Sequence, residues 1–563
     1  MAMRKILALS LTLVSLASSK VLNPPNNSVH YLLDSALAAL GGEDAISGLE
    51  GVTYHSPEYE LPVLSHAQLA NLCQADTAVA ISGSQNVSFS FDSEQLTQRI
   101  DRIFKASDYW SWASPSLDPF DFSLVVRGSK DGFACYVRGN NQIWLPVDLA
   151  SGYTDSALAE YLVLHGEMLS PKLLLRVKKH NGVEFVEVNI NGVKMPAVYD
   201  PVLDITIIFD ASSNLPHIIR AAEDHMVFGP STNDLYLTNY KAVDGIKFPH
   251  LVQTVYNSTT QKLDATLEDY IIDSVSINPK FSRKYFQGLP EGKGFFPKSA
   301  PKKVEGVTHA HITEFSSNML WSGITNSTVE GIKVKNPVPG MPNVHWLLLD
   351  AGKLGVKQLI IEFEDHVIVG DAPPQWTNEV IQWIEKNINK PITHLWPTHH
   401  HRDHSGGAAQ YVALGAKLII PEVAAKFWSS IPNAELITFN ETHPYVHSDS
   451  KSQAWFLWED QATHAADLSY AFITEKCPSE DSPIAVFEAD IWHPGLPDGQ
   501  NDRVLMRDWL DQVSGDGLPE GAYVLSTHGG VGQISELVKT TGYVYKPMTV
   551  RDWRDGGALC SAA

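Results

Sequence analysis

The sequence predicts an α+β protein in two parts, a long antiparallel β-rich region followed by a region of alternating strands and helices. Three observations predict it. From about 85 to 278 apolar residues recur at every second position, as in Val87, Phe89 and Phe91 or Val186, Val188 and Ile190. Residues 279–305 then gather Pro, Gly and Lys, including Gly288, Pro290, Gly292, Gly294, Pro297 and Pro301. Beyond 340, strand-like runs alternate with helical spacing. The length of 563 residues allows two to four domains at roughly 150 residues each. Hydrophobic residues make up 44% and charged residues 19%, enough to bury a sizeable core.

The elements follow in chain order. Arg4 and Lys5 precede the apolar run Ile6 to Leu16, and Ala17, Ser18 and Ser19 offer a cleavage site, so residues 1–19 are expected to be a signal peptide. The protein is then secreted and extracellular. Its sequons at Asn26, Asn86, Asn257, Asn326 and Asn440 become glycosylation candidates. No apolar run reaches the ~18–20 residues of a membrane span, so stable membrane insertion is not expected. Short helices are expected over 28–48, because His30 to Leu40 is rich in Ala and Leu and stops at Gly41-Gly42. Asn181-Gly182 and Asn191-Gly192 between apolar runs predict hairpins, and further strands are expected at 202–209 and 266–277. The domain boundaries are thus 20–290 for the β-rich part, 291–310 for a linker and 311–563 for the second part. In the latter, Val344 to Leu349, Leu359 to Phe363 and Lys417 to Ile420 predict strands. Trp376, Val380, Ile384 and Ile388 predict a helix.

Charge limits the partners. With 42 Lys+Arg against 64 Asp+Glu the net charge is −22, which repels nucleic acid and anionic surfaces. A small-molecule substrate is expected, and the oligomeric state stays open. Four cysteines are too few for a disulfide scaffold, and they can pair in three ways. Pairing within each half, Cys73–Cys135 and Cys477–Cys560, is expected.

The chemistry lies at Thr398-His399-His400-His401-Arg402-Asp403-His404, directly after the apolar stretch Ile392 to Trp396 and before Ser405-Gly406-Gly407. In an extended segment residues two apart share a face, so His399 and His401 can hold one metal while His400 points elsewhere. Asp403 and His404 fall at the turn into a helix and aim at a second point beside the first. Imidazole with carboxylate suits zinc and also admits iron or manganese. His309 and His311 share the spacing without a following Asp-His, and read as an ordinary exposed strand. Tyr109 to Phe122, with Trp110 and Trp112, reads as core or loop rather than a sugar-stacking surface. No Gly-x-Ser-x-Gly elbow or phosphate loop competes.

With this motif the sequence resembles the metallo-β-lactamase superfamily of metal-dependent hydrolases. The resemblance implies a C-terminal αβ/βα sandwich and two divalent ions, with three further ligands downstream, each closing a strand. His464 follows Ala454 to Trp458 and precedes Leu468 to Thr474. Asp490 ends Ile484 to Ala489, and His528 ends Tyr523 to Thr527. The implied first metal takes His399, His401 and His464; the second takes Asp403, His404 and His528. Asp490 and a water-derived hydroxide bridge them, and Asp403 is also the candidate catalytic proton shuttle. Asp371, after Val367 to Gly370, corresponds to an aspartate that supports the site without ligating. His443 and His447, in a Pro-containing loop, are weaker ligand candidates than His464, and His493 reads as a surface histidine. Trp455, Trp458, Trp492 and the 431–450 loop are candidates for shaping specificity.

The implied reaction is hydrolysis of an ester, lactone, amide or thioester. Branches that use Cys where Asp490 stands are excluded, and so are those that replace His401 by an acid. The nuclease branch fits the charge poorly. Residues 28–280 resemble a lipoprotein-carrier-like half-barrel, and the glycosylatable form resembles fungal extracellular members. The alternative from another class is a secreted lipid-binding or apolar-ligand-binding protein whose metal site is structural or vestigial.

Overall fold

The structure, a computed structural model, describes residues 28–64, 78–104, 121–129, 132–139, 151–225, 229–258, 264–290, 308–311, 328–349, 355–374, 376–462, 464–495 and 503–560. The expected signal peptide, Asn26, Cys73, Trp110, Trp112, Asn326 and most of the expected linker lie outside these residues. The described chain is mixed α/β and rich in strands.

Among the described residues the first fourteen-stranded sheet is antiparallel throughout. It runs as neighbouring strands from Gly51–Leu64 back through Ala78–Ser90, Thr97–Phe104 and Phe122–Arg127. On the other side it runs through Asp264–Ile271 and Leu251–Ser258 to Glu184–Ile190. The helix Val29–Leu40 starts where the Ser28 side chain accepts from the Tyr31 N–H, and it stops at Gly41 with φ 128°. Its apolar face, Leu33, Ala36 and Leu37, is buried in one cluster with Tyr54, Phe89 and Phe248 of the strands.

Asn191-Gly192 makes the expected hairpin. Both residues have positive φ (51° and 86°), which matches the strand twist, and Ile190 faces Val193 across the turn. Asn181-Gly182 does not, because the apolar run before it is the helix Leu173–Val177 rather than a strand. The helix Ser156–Leu169, capped by the Asp155 side chain, also interrupts the expected run of strands. Its period of 3.6 was masked by apolar residues on nearly every side. His309 and His311 form a single 3-10 turn, not a strand.

Two further sheets follow. The seven-stranded sheet has the order Lys333–Lys335, Val344–Leu348, Lys357–Glu362, Val367–Gly370, Ile392–Trp396, Lys417–Pro421, Leu436–Phe439. Its last four strands are parallel, and helices Thr377–Asn387 and Ala408–Ala413 lie between them in the chain, as parallel crossovers require. The six-stranded sheet runs from Tyr445–Ser448 through Ser452–Trp458, Ser469–Glu475, Ala485–Glu488 and Tyr523–Ser526 to Val531–Gln533. One apolar cluster draws on both sheets, joining Trp346, Leu359, Ile361 and Trp396 to Phe456, Ile473, Phe487 and Leu525. Separate clusters seat helix Thr377–Asn387 through Val380 and Ile384 and helix Arg503–Gly515 through Leu505, Trp509 and Leu510.

Cys477 and Cys560 form a disulfide across 83 residues of sequence, as expected. Cys135 is a buried free thiol on strand Phe133–Arg138, so the expected Cys73–Cys135 pair is not made. Among the sequons, Asn86 is exposed, while Asn257 and Asn440 are half-buried. No helix among the described residues is long and apolar enough to cross a membrane.

The disulfide ties the chain end beside the six-stranded sheet, where Gln453 Nε2 donates to the Ala558 carbonyl at 2.7 Å and Trp553 stacks on Phe472. Cys560→Ser is expected to lower unfolding stability by about 2–4 kcal/mol. Denaturant midpoints measured without reductant check this; an unchanged midpoint contradicts it.

Candidate metal centre

Parallel strands place the chemistry at their carboxyl ends. Strand Val367–Gly370 delivers Asp371, Ile392–Trp396 delivers Thr398 and His399, Ala485–Glu488 delivers Asp490, and Tyr523–Ser526 delivers Thr527 and His528. Chain leaving the same end of neighbouring parallel strands converges, so residues distant in sequence become neighbours. His464 arrives from the loop between the antiparallel strands Ser452–Trp458 and Ser469–Glu475.

All seven residues come together, in two groups. One ligating atom from each of His399, His401, His464 and Asp490 lies within 4.8 Å of the others, and the same holds for Asp403, His404 and His528. Asp490 stands between the groups. Its Oδ2 is 3.4 Å from His399 Nε2, 3.1 Å from His464 Nε2 and 3.0 Å from His404 Nε2, while Oδ1 is 3.5 Å from His528 Nε2. His528 Nε2 is also 3.1 Å from Asp403 Oδ2 and 3.2 Å from His404 Nε2. The motif is a bend rather than an extended strand, so His399 and His401 meet by chain curvature, with ring centroids 4.3 Å apart. His400 turns away to Asp467 at 2.6 Å, as expected.

Asp371 organises this bend. Its Oδ1 accepts from the Thr398 N–H and hydroxyl, both at 2.8 Å. Its Oδ2 accepts from His404 Nδ1 at 2.9 Å and from the Thr527 hydroxyl at 3.0 Å. A carboxylate only accepts, so His404 Nδ1 carries a proton and Nε2 is the atom turned toward the other side chains of the site. Thr398 Oγ1, already donating to Asp371, accepts from His399 Nδ1 at 3.1 Å, which leaves His399 Nε2 unprotonated. Gly407 is required behind the motif, because a Cβ there would sit 1.8 Å from Thr377 Oγ1.

Sequence reasoning missed Glu488, an acid inside an apolar run. Its Oε2 accepts from the N–H groups of Ile491 and Trp492 at 2.8 and 3.2 Å, and so shapes the turn that carries Asp490. Burial pushes this carboxyl well above the usual range. Several expectations are corrected. His493 is buried rather than on the surface, 6.0 Å from the His528 ring, and burial pushes it down to about 3. Trp455 and Trp492 are core residues, so only Trp458 remains half-buried among the aromatic candidates. His443 stays exposed in its loop, but His447 lies on strand Tyr445–Ser448.

The donor set fits divalent cations. Five imidazoles are nine-tenths or more buried around two acids, and His399 Nε2 makes no hydrogen bond. Burial opposes charge on Asp403 and Asp490, yet His404 and then other histidines hold both carboxyls well below their ordinary range. Burial likewise opposes charge on His404, and Asp403, Asp490 and Asp371 together raise it far above an ordinary imidazole. Imidazole nitrogens and ionised carboxylates converging on one place are the ligands of zinc or a similar ion, whose charge would take the place of the proton that His404 otherwise holds.

No protein-family model matches the chain, and no curated protein does. Solved structures give partial similarities. A metallo-beta-lactamase from Pontibacter korlensis is 17% identical with a TM-score of 0.29, over 38% of this chain and 97% of that one. A metallo-beta-lactamase from Hirschia baltica is 17% identical with a TM-score of 0.28, over 38% and 96%. The FIM-1 metallo-beta-lactamase from Pseudomonas aeruginosa, in its mono-zinc form, is 16% identical with a TM-score of 0.27, over 38% and 93%.

Two predictions follow from this geometry. Asp371→Asn removes acceptors from Thr398, His404 and Thr527 and is expected to weaken metal affinity by ~10–100-fold. Zinc titration against a competing chelator checks this, and unchanged affinity contradicts it. The second concerns Glu459, which opens the His464 loop and is 1% exposed, with its carboxyl pushed up to about 8 by burial and then by Asp460, Asp508 and Asp516. Its unfolded pKa is ~4.3. The folded state therefore binds this proton more tightly, and the stability it contributes is lost as pH rises through about 8. Glu459→Gln is expected to flatten the fall of the melting temperature over that window, and an unaltered pH profile contradicts it.

Proposed function

We propose that this chain is a secreted, metal-dependent hydrolase of the metallo-β-lactamase superfamily that cleaves an acyl bond of a small molecule. The observation that supports the reading is the convergence of seven metal-ligating side chains from four separate stretches of chain, with Asp490 facing both groups. A single tetrahedral zinc ion takes four ligands, any water included, and seven side chains in two adjoining groups exceed that.

In this reading His399, His401 and His464 hold one ion and Asp403, His404 and His528 the other, with Asp490 contributing to both. Two divalent ions, zinc for preference and iron or manganese otherwise, supply Lewis acidity and lower the pKa of water toward ~7. The protein's own residues do the rest. Asp371 and Thr398 hold His404 and His399 through Nδ1, so that Nε2 of each ring is the atom left to face an ion. Asp403, whose side chain is 14% exposed, is in this reading the proton shuttle that would take a proton from the attacking water and pass it to the leaving group. An ester, lactone, amide or thioester carbonyl is the proposed target.

The wider organisation belongs to the same proposal: a β-rich part over 20–290, a linker over 291–310 and a catalytic αβ/βα part over 311–563. Among the described residues, the break between the first sheet, whose strands end at Ile277, and the later sheets, which begin at Lys333, supports it. The Cys477–Cys560 disulfide supports an oxidising, extracellular setting. The net charge of −22 argues against nucleic acid as a partner.

A second reading has its own observation. A small apolar pocket lies between the first helices and the first sheet, lined by Leu40, Tyr54, Met168, Leu237, Tyr240 and Phe248. An apolar-ligand carrier with a structural or vestigial metal site would use it. Turnover separates the two readings. The purified protein is expected to hydrolyse at least one member of a panel of lactones, esters and thioesters. A chelator abolishes that turnover, Zn2+ restores it, and the His401→Ala/Asp403→Ala variant falls to background. Turnover that survives in this variant overturns the assignment; binding of an apolar fluorescent probe by metal-stripped protein, with no turnover on any substrate, supports the carrier.

A further inference from the structure

A second group of histidines lies at the other end of strand Ile392–Trp396 from the motif. His366 is in the tight turn between strands Lys357–Glu362 and Val367–Gly370, where the Phe363 N–H donates to the His366 carbonyl at 2.9 Å. His394 is in the middle of Ile392–Trp396, and His447 is on Tyr445–Ser448 of the six-stranded sheet. One ring nitrogen from each lies within 4.8 Å of the others, and all three residues are half-buried.

The rings are held for a common purpose. In each, Nδ1 is occupied by a neighbour: Asp365 Oδ1 at 2.5 Å for His366, the Thr393 hydroxyl at 2.8 Å for His394 and the Tyr445 hydroxyl at 3.0 Å for His447. That leaves the three Nε2 atoms for one another, and His366 Nε2 is already 2.7 Å from His447 Nε2. Phe363 fixes the planes, stacked on His366 at 5.2 Å and edge-on to His447 at 4.7 Å. An oxygen partner on one ring nitrogen, with the other aimed at a shared point, is how proteins orient metal-binding imidazoles.

We propose that His366, His394 and His447 form a separate three-histidine site for one Zn2+ ion, which clips the seven-stranded sheet to the six-stranded sheet. Three neutral imidazoles suit zinc, with Zn–N distances of ~2.0–2.1 Å and a water molecule as the fourth ligand. Tetrahedral binding sets the nitrogens ~3.3 Å apart, so the His366–His447 pair opens slightly on binding. The seam is already joined by other bonds, since Asp449 Oδ2 accepts from the Glu364 N–H at 2.8 Å and Ser450 donates to Glu364 Oε1 at 2.8 Å. The ion therefore reinforces an existing seam. This inference does not depend on the proposed hydrolase activity, because no residue is shared between the sites.

The test uses the full chain, stripped with chelator, reloaded with Zn2+ and desalted, with zinc counted per chain by elemental analysis. Wild type is expected to retain one ion more than His394→Gln/His447→Gln, whereas His401→Ala/Asp403→Ala keeps this ion. Equal zinc in wild type and His394→Gln/His447→Gln overturns the proposal. If that variant does not fold, a zinc-edge anomalous map of wild-type crystals decides: a peak among the three Nε2 atoms supports the site, and its absence overturns it.

Discussion

The candidate centre depends on one buried carboxylate. Asp371 spends both oxygens on four donors from three residues in two distant parts of the chain, the Thr398 backbone and hydroxyl, His404 Nδ1 and the Thr527 hydroxyl. It follows strand Val367–Gly370 with φ 61°, a left-handed conformation that turns the chain sharply at the strand end. Its N–H donates to Trp396 and its carbonyl accepts from Gln358. The side chain thereby registers the carboxyl ends of three strands against one another. Without it, Thr398 and His404 would each be left with an unpaired polar group at a fully buried position, a cost of ~1–3 kcal/mol per group.

The same wiring explains how so much polarity is buried. Apolar clusters surround the strands, yet the loops at their ends bring five histidines and two ionised acids into one dry volume. Interiors tolerate such groups only when they are paired or ligated. Asp490 next to four imidazoles, and Asp403 next to two, supply part of the compensation. The converging Nε2 atoms of His404 and His528, 3.2 Å apart, supply none unless a proton or a cation lies between them.

Legibility in the sequence followed locality. The motif at 399–404 could be read because its ligands are nearly contiguous. Asp490 and His528 were legible only through the family resemblance, which asks for polar residues that close apolar runs. Glu488 was overlooked because it sits inside such a run, although an acid there is itself a signal. Trp455 and Trp492 were misjudged because an aromatic beside a site looks the same in sequence whether it lines a cleft or fills a core. His366, His394 and His447 span 81 residues without a common motif, and only the pairing of turns across two sheets brings them together. In the first half, Asn191-Gly192 was readable from the φ its turn demands, whereas Asn181-Gly182 was not, because what precedes it is a helix.

The central claim is that the seven residues form a working pair of metal positions. Its most direct test is metal content per chain in purified wild type and in the His399→Ala/His528→Ala variant, which removes one ligand from each group. A difference close to two ions agrees with a dinuclear centre. Equal contents in the two proteins would contradict it.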